Sequence, residues 1–375
     1  MTSRRVYLDY NATAPVYPEV IEEVAKVLAE GGNASSVHAA GRAAKARLEK
    51  SRQIIADMLN CRPQMITFTS GGTEANNFAL KASGAKRLII SAAEHDSILE
   101  VARTFAGEVE ILPLDHKGYV RRDILQQLLD KSEAPTVVSI MLANNETGVL
   151  QDIAALAEMV HDHGALFHTD AIQALGKVPV DFRTLGVDMM SLSAHKVGGP
   201  QGVGALIAWE KLDILPLIQG GGQEVGRRSG TENIAGIAGF AKAVSLVPRS
   251  LQKAAEIREW RDEMEQILLS HAPDAKIFGA ESERLPTVSS ILMPGVNSET
   301  QVMAFDLDGL CVSAGSACSS GKVKSSHVIT AMGGTPEEAA STLRLSLGWA
   351  TTREDIGRFV KSWCRLYDRK IKKAS

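Results

Sequence analysis

The feature that most constrains this chain is an alternation. Short, nearly continuous apolar runs are separated by stretches of helical periodicity. The runs at residues 87–91, 136–141, 165–168 and 189–193 have little polar content on either alternate face. A strand that is apolar in both directions is one buried on both sides. Helical stretches such as 43–59 supply the crossovers that let successive strands lie parallel. The expected fold class is therefore α/β, with a mostly parallel mixed sheet between helices.

Around Pro248 the rhythm changes. A long charged helix is expected over 250–271, then a strand at 288–293, a helix at 298–306 and a last helix from Arg353. At roughly 150 residues per domain, 375 residues suggest about two. The reading is a large domain over 16–250. A smaller α/β domain takes in 1–15 and 251–375.

A formal net charge of −3 gives no pull toward nucleic acid or an anionic membrane. No stretch approaches the ~20 apolar residues of a membrane span, and the N-terminus lacks the apolar segment of a signal peptide. The chain is expected to be soluble and cytoplasmic. Its four cysteines, Cys61, Cys311, Cys318 and Cys364, form no CxxC pair and no metal-ligand spacing, so no stable metal site is expected. In a reducing compartment each is a free thiol.

Three glycine-rich segments carry candidate chemistry. Thr69-Ser70-Gly71-Gly72-Thr73 follows an apolar run and opens a helix, so its backbone N–H groups and the helix N-terminus can receive an anion. Residues 220–231 combine glycines with Arg227, Arg228, Ser229 and Thr231, a chemically complete anion site. Ser193-Ala194-His195-Lys196 leaves the end of a buried strand, where open α/β sheets place ligands. Asp170 and Gln173 follow another strand end. A lone lysine after a strand is usually a solvated charge. Lys196 together with Asp170, Gln173, His95 and two phosphate loops instead fits pyridoxal phosphate (PLP), which needs a Schiff-base lysine and an acidic partner for its ring nitrogen. Cys318 sits among small residues, with Lys322 and Lys324 nearby, a context that favours an exposed thiolate.

Together these residues resemble the cysteine desulfurases of the NifS/IscS type. These are class-V aminotransferase enzymes with the aspartate-aminotransferase-like PLP fold. The resemblance runs from Leu8-Asp9-Tyr10-Asn11-Ala12-Thr13-Ala14-Pro15 to Leu343-Arg344-Leu345-Ser346-Leu347-Gly348. It is most specific at Ser193-Ala194-His195-Lys196, Asn144-Asn145-Glu146-Thr147-Gly148, Arg228-Ser229-Gly230-Thr231 and the Cys318 segment. It implies that Lys196 anchors the cofactor and shuttles a proton, and that His95 stacks on the cofactor ring. Asp170 would pair with the ring nitrogen and Gln173 with the phenolic oxygen. Gly72, Thr73, Ser193 and His195 would hold the phosphate, with Thr231 reaching in from a second subunit of a homodimer. Asn145 would flank the ring and the substrate, and Arg344 would grip the substrate carboxylate. Asn33 and His38 match a further active-site segment with no role assigned.

The implied reaction converts L-cysteine to L-alanine, leaving the sulfur as a persulfide on Cys318 for an iron–sulfur scaffold or another sulfur acceptor. Cys318 is also implied as a transient iron–sulfur ligand shared with such a scaffold. Gln201 stands where the family usually carries Lys, and the chain stops at Ser375, short of the IscS-type tail. The acceptor stays open between nitrogen fixation and housekeeping. The nearest rival is another PLP enzyme of the same fold, a selenocysteine lyase or an aminotransferase. A non-catalytic scaffold that has kept the fold is the rival from another class.

Overall fold

The computed structural model describes residues 5–131, 134–315 and 325–374. A seven-stranded sheet forms its centre, in the order Ile66–Thr69, Gly204–Ala208, Met189–Ser193, Leu166–Asp170, Thr136–Ser139, Arg87–Ser91, Glu108–Leu112. Only Gly204–Ala208 runs against its neighbours; the other pairings are parallel. Arg87–Ser91, Thr136–Ser139 and Met189–Ser193 are buried along their whole length, as expected of strands with helices on both faces.

One strand carries no such apolar signal. Glu108–Leu112 is the sheet edge and alternates charged with apolar residues, its first four exposed or half-buried. Gly204–Ala208 returns antiparallel beside Met189–Ser193, so the intervening turn needs no crossover helix. That turn contains the single 3-10 turn Ala194–Lys196.

The helix expected from residue 43 begins earlier, at Ala39, because His38 caps it by accepting the Gly41 N–H at 3.3 Å. Helix Ile234–Ser245 is apolar around most of its circumference and packs on helices Pro18–Glu30 and Ala39–Leu59. Among the described residues no single helix is long and apolar enough to cross a membrane.

Beyond residue 250 a second, antiparallel sheet has the order Ser313–Ala314, Thr342–Ser346, Val288–Leu292, Lys276–Phe278. Its hydrophobic cluster joins Ile257, Met264 and Leu268 of helix Val247–His271 to Ile356, Phe359 and Trp363 of helix Arg353–Ala374. Val6 and Leu8 also belong to that cluster, and Val6–Tyr7 pairs parallel with Leu310–Cys311. Helix Val247–His271 starts in the large cluster with Val247 and ends in the smaller one, so it spans both. Phe359 is fully buried against Phe305, at 5.3 Å between ring centroids. We expect Phe359→Ala to cost about 3–5 kcal/mol, read as a lower urea midpoint; an unchanged midpoint would show that this cluster does not support the second sheet.

Candidate active site

The parallel strands all deliver chemistry at their C-terminal ends. Ile66–Thr69 leads into helix Gly72–Lys81, Arg87–Ser91 leads to His95, Leu166–Asp170 ends on its own carboxylate, and Met189–Ser193 ends beside Lys196. These ends converge on one cavity of about 330 Å³. Its walls carry Gly72, Thr73, His95, Asn145, Asp170, Gln173, Ser193, His195, Lys196 and Arg344. That is every expected cofactor and substrate residue except Thr231.

Asp170 lies at the centre of the polar network and is buried. It accepts from Asn76 Nδ2 at 2.7 Å and from the Ile172 backbone N–H at 2.9 Å. Burial pushes its carboxyl upward, while those donors and the His95 and Lys196 charges pull the other way. A cationic ring nitrogen would complete this electrostatic balance. Asn76 also donates to Ser97 Oγ at 2.9 Å, and Ser97 Oγ lies 2.9 Å from His95 Nδ1. The Ser97 backbone N–H donates to the same Nδ1 at 3.1 Å.

Lys196 Nζ donates to the carbonyls of Asn11 (2.6 Å) and Ala12 (2.8 Å). His195 is driven down to about 4 by burial first and Lys196 second, so at neutral pH it is an uncharged ring, with Nδ1 3.2 Å from Thr13 Oγ1. At the opposite wall Arg344 is buried. It is held by Asp9 Oδ1 at 2.8 Å and directs Nη1 toward the carbonyls of Asn145 (3.4 Å) and Gly315 (3.5 Å), while its Nε has no partner.

The cavity fits a phosphorylated cationic ring. A Cβ on Gly72 would lie 2.2 Å from Ile172 Cδ1, so a larger residue at the helix start would force that side chain to shift on the cavity wall. The helix N-terminus then faces the same cavity as Ser193, whose buried Oγ has no partner. A buried hydroxyl without a protein partner beside backbone N–H groups is a donor set suited to an anion.

Other expected residues lie elsewhere. Thr231 lines a separate cleft with Ser70, Glu224 and Arg228. The arginines of residues 220–231 do not turn into the cavity. Arg228 pairs with Glu74 at 2.9 Å, and Arg227 donates to the Gln64 carbonyl at 3.3 Å, which corrects the reading of that loop as a self-contained anion site. Asn33 accepts the Ser35 N–H at 2.8 Å and His38 caps a helix, so each has a local structural contact. Cys318 lies outside the described residues, as do Lys322 and Lys324. Asn11, Asn76, Ser97 and Asp9 were assigned no role from sequence, because short polar side chains carry no periodic signal. Asn11 and Asp9 stand inside the Leu8–Pro15 motif, which was the available clue.

Residues 6–359 match the family model for aminotransferase class-V. The chain belongs to the class-V aminotransferase family. Cysteine desulfurase IscS of Dictyoglomus turgidum is 40% identical over 94% of this chain and 92% of its own length. A cysteine desulfurase of Sinorhizobium fredii is 41% identical, covering 96% and 95%. The solved NifS-like protein of Rickettsia africae superposes with a TM-score of 0.91 at 37% identity, covering 97% of this chain and all of that one. The fold is that of the NifS-like PLP enzymes, and the cofactor of this family is pyridoxal phosphate.

Glu94 is fully buried near Asp170, with Oε1 accepting the Met141 N–H at 2.7 Å and Oε2 unpartnered. Burial first, then the Asp170 charge, raises its carboxyl well above the usual range. A carboxyl raised on folding stabilises below its unfolded pKa, and that contribution is lost as pH rises. Glu94→Gln keeps the acceptor and removes the charge. Its thermal midpoint should exceed that of the unaltered cofactor-free protein at pH 8, with the gap closing toward pH 4.5. A gap independent of pH would contradict this electrostatic reading.

Proposed function

We propose that this chain is a cysteine desulfurase that converts L-cysteine to L-alanine and passes the sulfur, as a persulfide on Cys318, to an acceptor protein. The observation that carries the reading is the single cavity joining Lys196, Asp170 and the glycine-lined anion cradle to Arg344, in a chain about 40% identical to cysteine desulfurases along nearly its whole length.

Pyridoxal phosphate, when bound, supplies an electron sink for the substrate's α-carbon. Gly72, Thr73, Ser193 and His195 hold its phosphate, with Thr231 of a second subunit completing the contact in a homodimer. Asp170 keeps the ring nitrogen protonated, Gln173 bonds the ring oxygen, and His95 and Asn145 flank the ring. Lys196 anchors the cofactor through its amine and moves the proton at the substrate α-carbon. Arg344 grips the substrate carboxylate in a fork that Asp9 keeps in place. The Cys318 thiolate attacks the substrate sulfur, the carbon–sulfur bond breaks, and the carbon skeleton takes up a proton and leaves as alanine.

The flanks of the Cys318 segment support this assignment. The Gly315 carbonyl lies 3.5 Å from Arg344 Nη1, and His327 Nε2 lies 3.1 Å from the Glu94 carbonyl. The sulfur acceptor is an iron–sulfur scaffold or another carrier protein, with Cys318 a transient iron–sulfur ligand in such a complex. The protein acts in the cytoplasm without a membrane or nucleic-acid partner. Residues 16–250 form the cofactor-binding domain, and 1–15 with 251–375 form the smaller one.

Mass spectrometry after turnover with L-cysteine should find one added sulfur, about 32 Da, on the peptide containing Cys318, with alanine in solution. Cys318→Ala should lose sulfur transfer, and Lys196→Ala should lose about 10²–10⁴-fold in rate. If Cys318→Ala released sulfide from cysteine at the full rate without added reductant, the incidental-cysteine rival would stand instead. Asp9→Asn should raise KM for cysteine about tenfold with kcat little changed; a fall in kcat alone would contradict a role through Arg344.

A further inference from the structure

Lys177 is a buried lysine that the proposed chemistry does not use. Its Nζ donates to Asn11 Oδ1 and Gln173 Oε1, each at 2.6 Å. Among the described residues no carboxylate hydrogen-bonds it. The charged groups it faces are Lys196 and Arg344, both cationic. Burial first and then these two charges drive its ammonium well below the usual lysine range. Burying a lysine without an ion pair is costly. Costs of this kind are retained mainly where function needs them.

The position of Lys177 suggests what the cost secures. Lys177 Nζ donates to both amide oxygens, and an amide has one accepting and one donating end. Lys177 therefore fixes Gln173 with its oxygen turned away from the cavity and its Nε2 toward it. One Nε2 hydrogen goes to the Asn11 carbonyl at 3.0 Å, and the other is left for the cavity that Gln173 lines. The same amine fixes Asn11, whose Nδ2 then donates to the Asn145 carbonyl at 2.9 Å. Asn11 in turn accepts from Lys196 through its carbonyl at 2.6 Å. One lysine thus sets two amides, and through Asn11 it touches the seat of Lys196.

We propose that Lys177 is a positioning residue that orients the Gln173 amide so that an N–H donor, rather than a carbonyl oxygen, meets the cofactor's ring oxygen. This rests on the reading that the cavity binds pyridoxal phosphate. A donor at that oxygen stabilises its anionic form. The visible absorption band of the loaded protein therefore changes form at a lower pH than it would with the amide reversed.

The test is a spectroscopic pH titration of the PLP-loaded protein. Lys177→Met and Gln173→Leu should each raise the midpoint of the visible band by about one pH unit, a differential interaction of about 1.4 kcal/mol. In the double variant the second change should add less than half of its single effect, because both remove one device. Gln173→Glu reads the orientation without touching Lys177. It offers the ring oxygen only acceptors and should raise the midpoint more than Gln173→Leu. An unmoved midpoint with merely lowered thermal stability overturns the proposal, as do fully additive shifts. If Lys177→Met does not fold, a Gln173→Glu midpoint no higher than that of Gln173→Leu overturns it. The absence of any visible band in unaltered protein given PLP overturns the cofactor reading, and this inference with it. A normal band whose midpoint ignores these substitutions overturns this inference alone.

Discussion

A buried carboxylate, Asp170, sets the terms for the rest of the site. Placed at the end of a strand with sheet on both sides, it cannot be satisfied by water. Asn76 and the Ile172 N–H supply two donors, and His95 and Lys196 supply positive charge. Each donor needs its own support. Asn76 is steadied by Ser97, and Ser97 by the cap that His95 forms on helix Asp96–Arg103. The network is a run of hydrogen bonds from Asp170 through Asn76 and Ser97 to His95, reaching from one strand end to the next. Low dielectric makes such a chain strong when complete and costly when broken. A cationic ring at its centre is the ligand that completes it.

The other constraint is the N-terminal segment. Asp9 bridges to Ser346 in parallel, the Asn11 N–H meets Ser346 Oγ at 2.9 Å, and the Ala14 N–H meets the His195 carbonyl at 2.9 Å. Residues 8–14 therefore link the small antiparallel sheet to the turn that carries Lys196. Two carbonyls of this segment receive Lys196 Nζ, and its Asp9 holds Arg344. Cofactor side and substrate side are positioned by one stretch of eight or so residues. Glu94, buried next to the Asp170 carboxylate, and Lys177, buried next to two cations, show stability traded for arrangement.

Much of this was legible in the sequence because burial writes itself as continuous apolar runs. Arg87–Ser91 and Met189–Ser193 fall where those runs lie, and helices Ser298–Leu307 and Arg353–Ala374 where their periodicity does. Glu108–Leu112 was not legible, because an edge strand is half solvated and reads as mixed. Lys196, Asp170 and Arg344 were legible through motifs at strand ends. Asn11 and Asn76 were not, since their roles depend on partners 94 to 185 residues away that no local pattern reveals, and Lys177 was not, although Gln173 lies only four residues before it. The loop at 220–231 misled for a related reason. Its arginines look free in sequence, yet Arg228 finds Glu74 from the first glycine loop.

Two lysines, the half-buried Lys196 and the buried Lys177, flank Asn11, and the account gives them different tasks. Borohydride reduction of the purified, PLP-loaded protein fixes the cofactor to whichever amine holds it, and peptide mapping by mass spectrometry identifies that amine. The account predicts the cofactor's mass on the peptide containing Lys196 and on no other. The label on Lys177, or no label on any peptide, would contradict it.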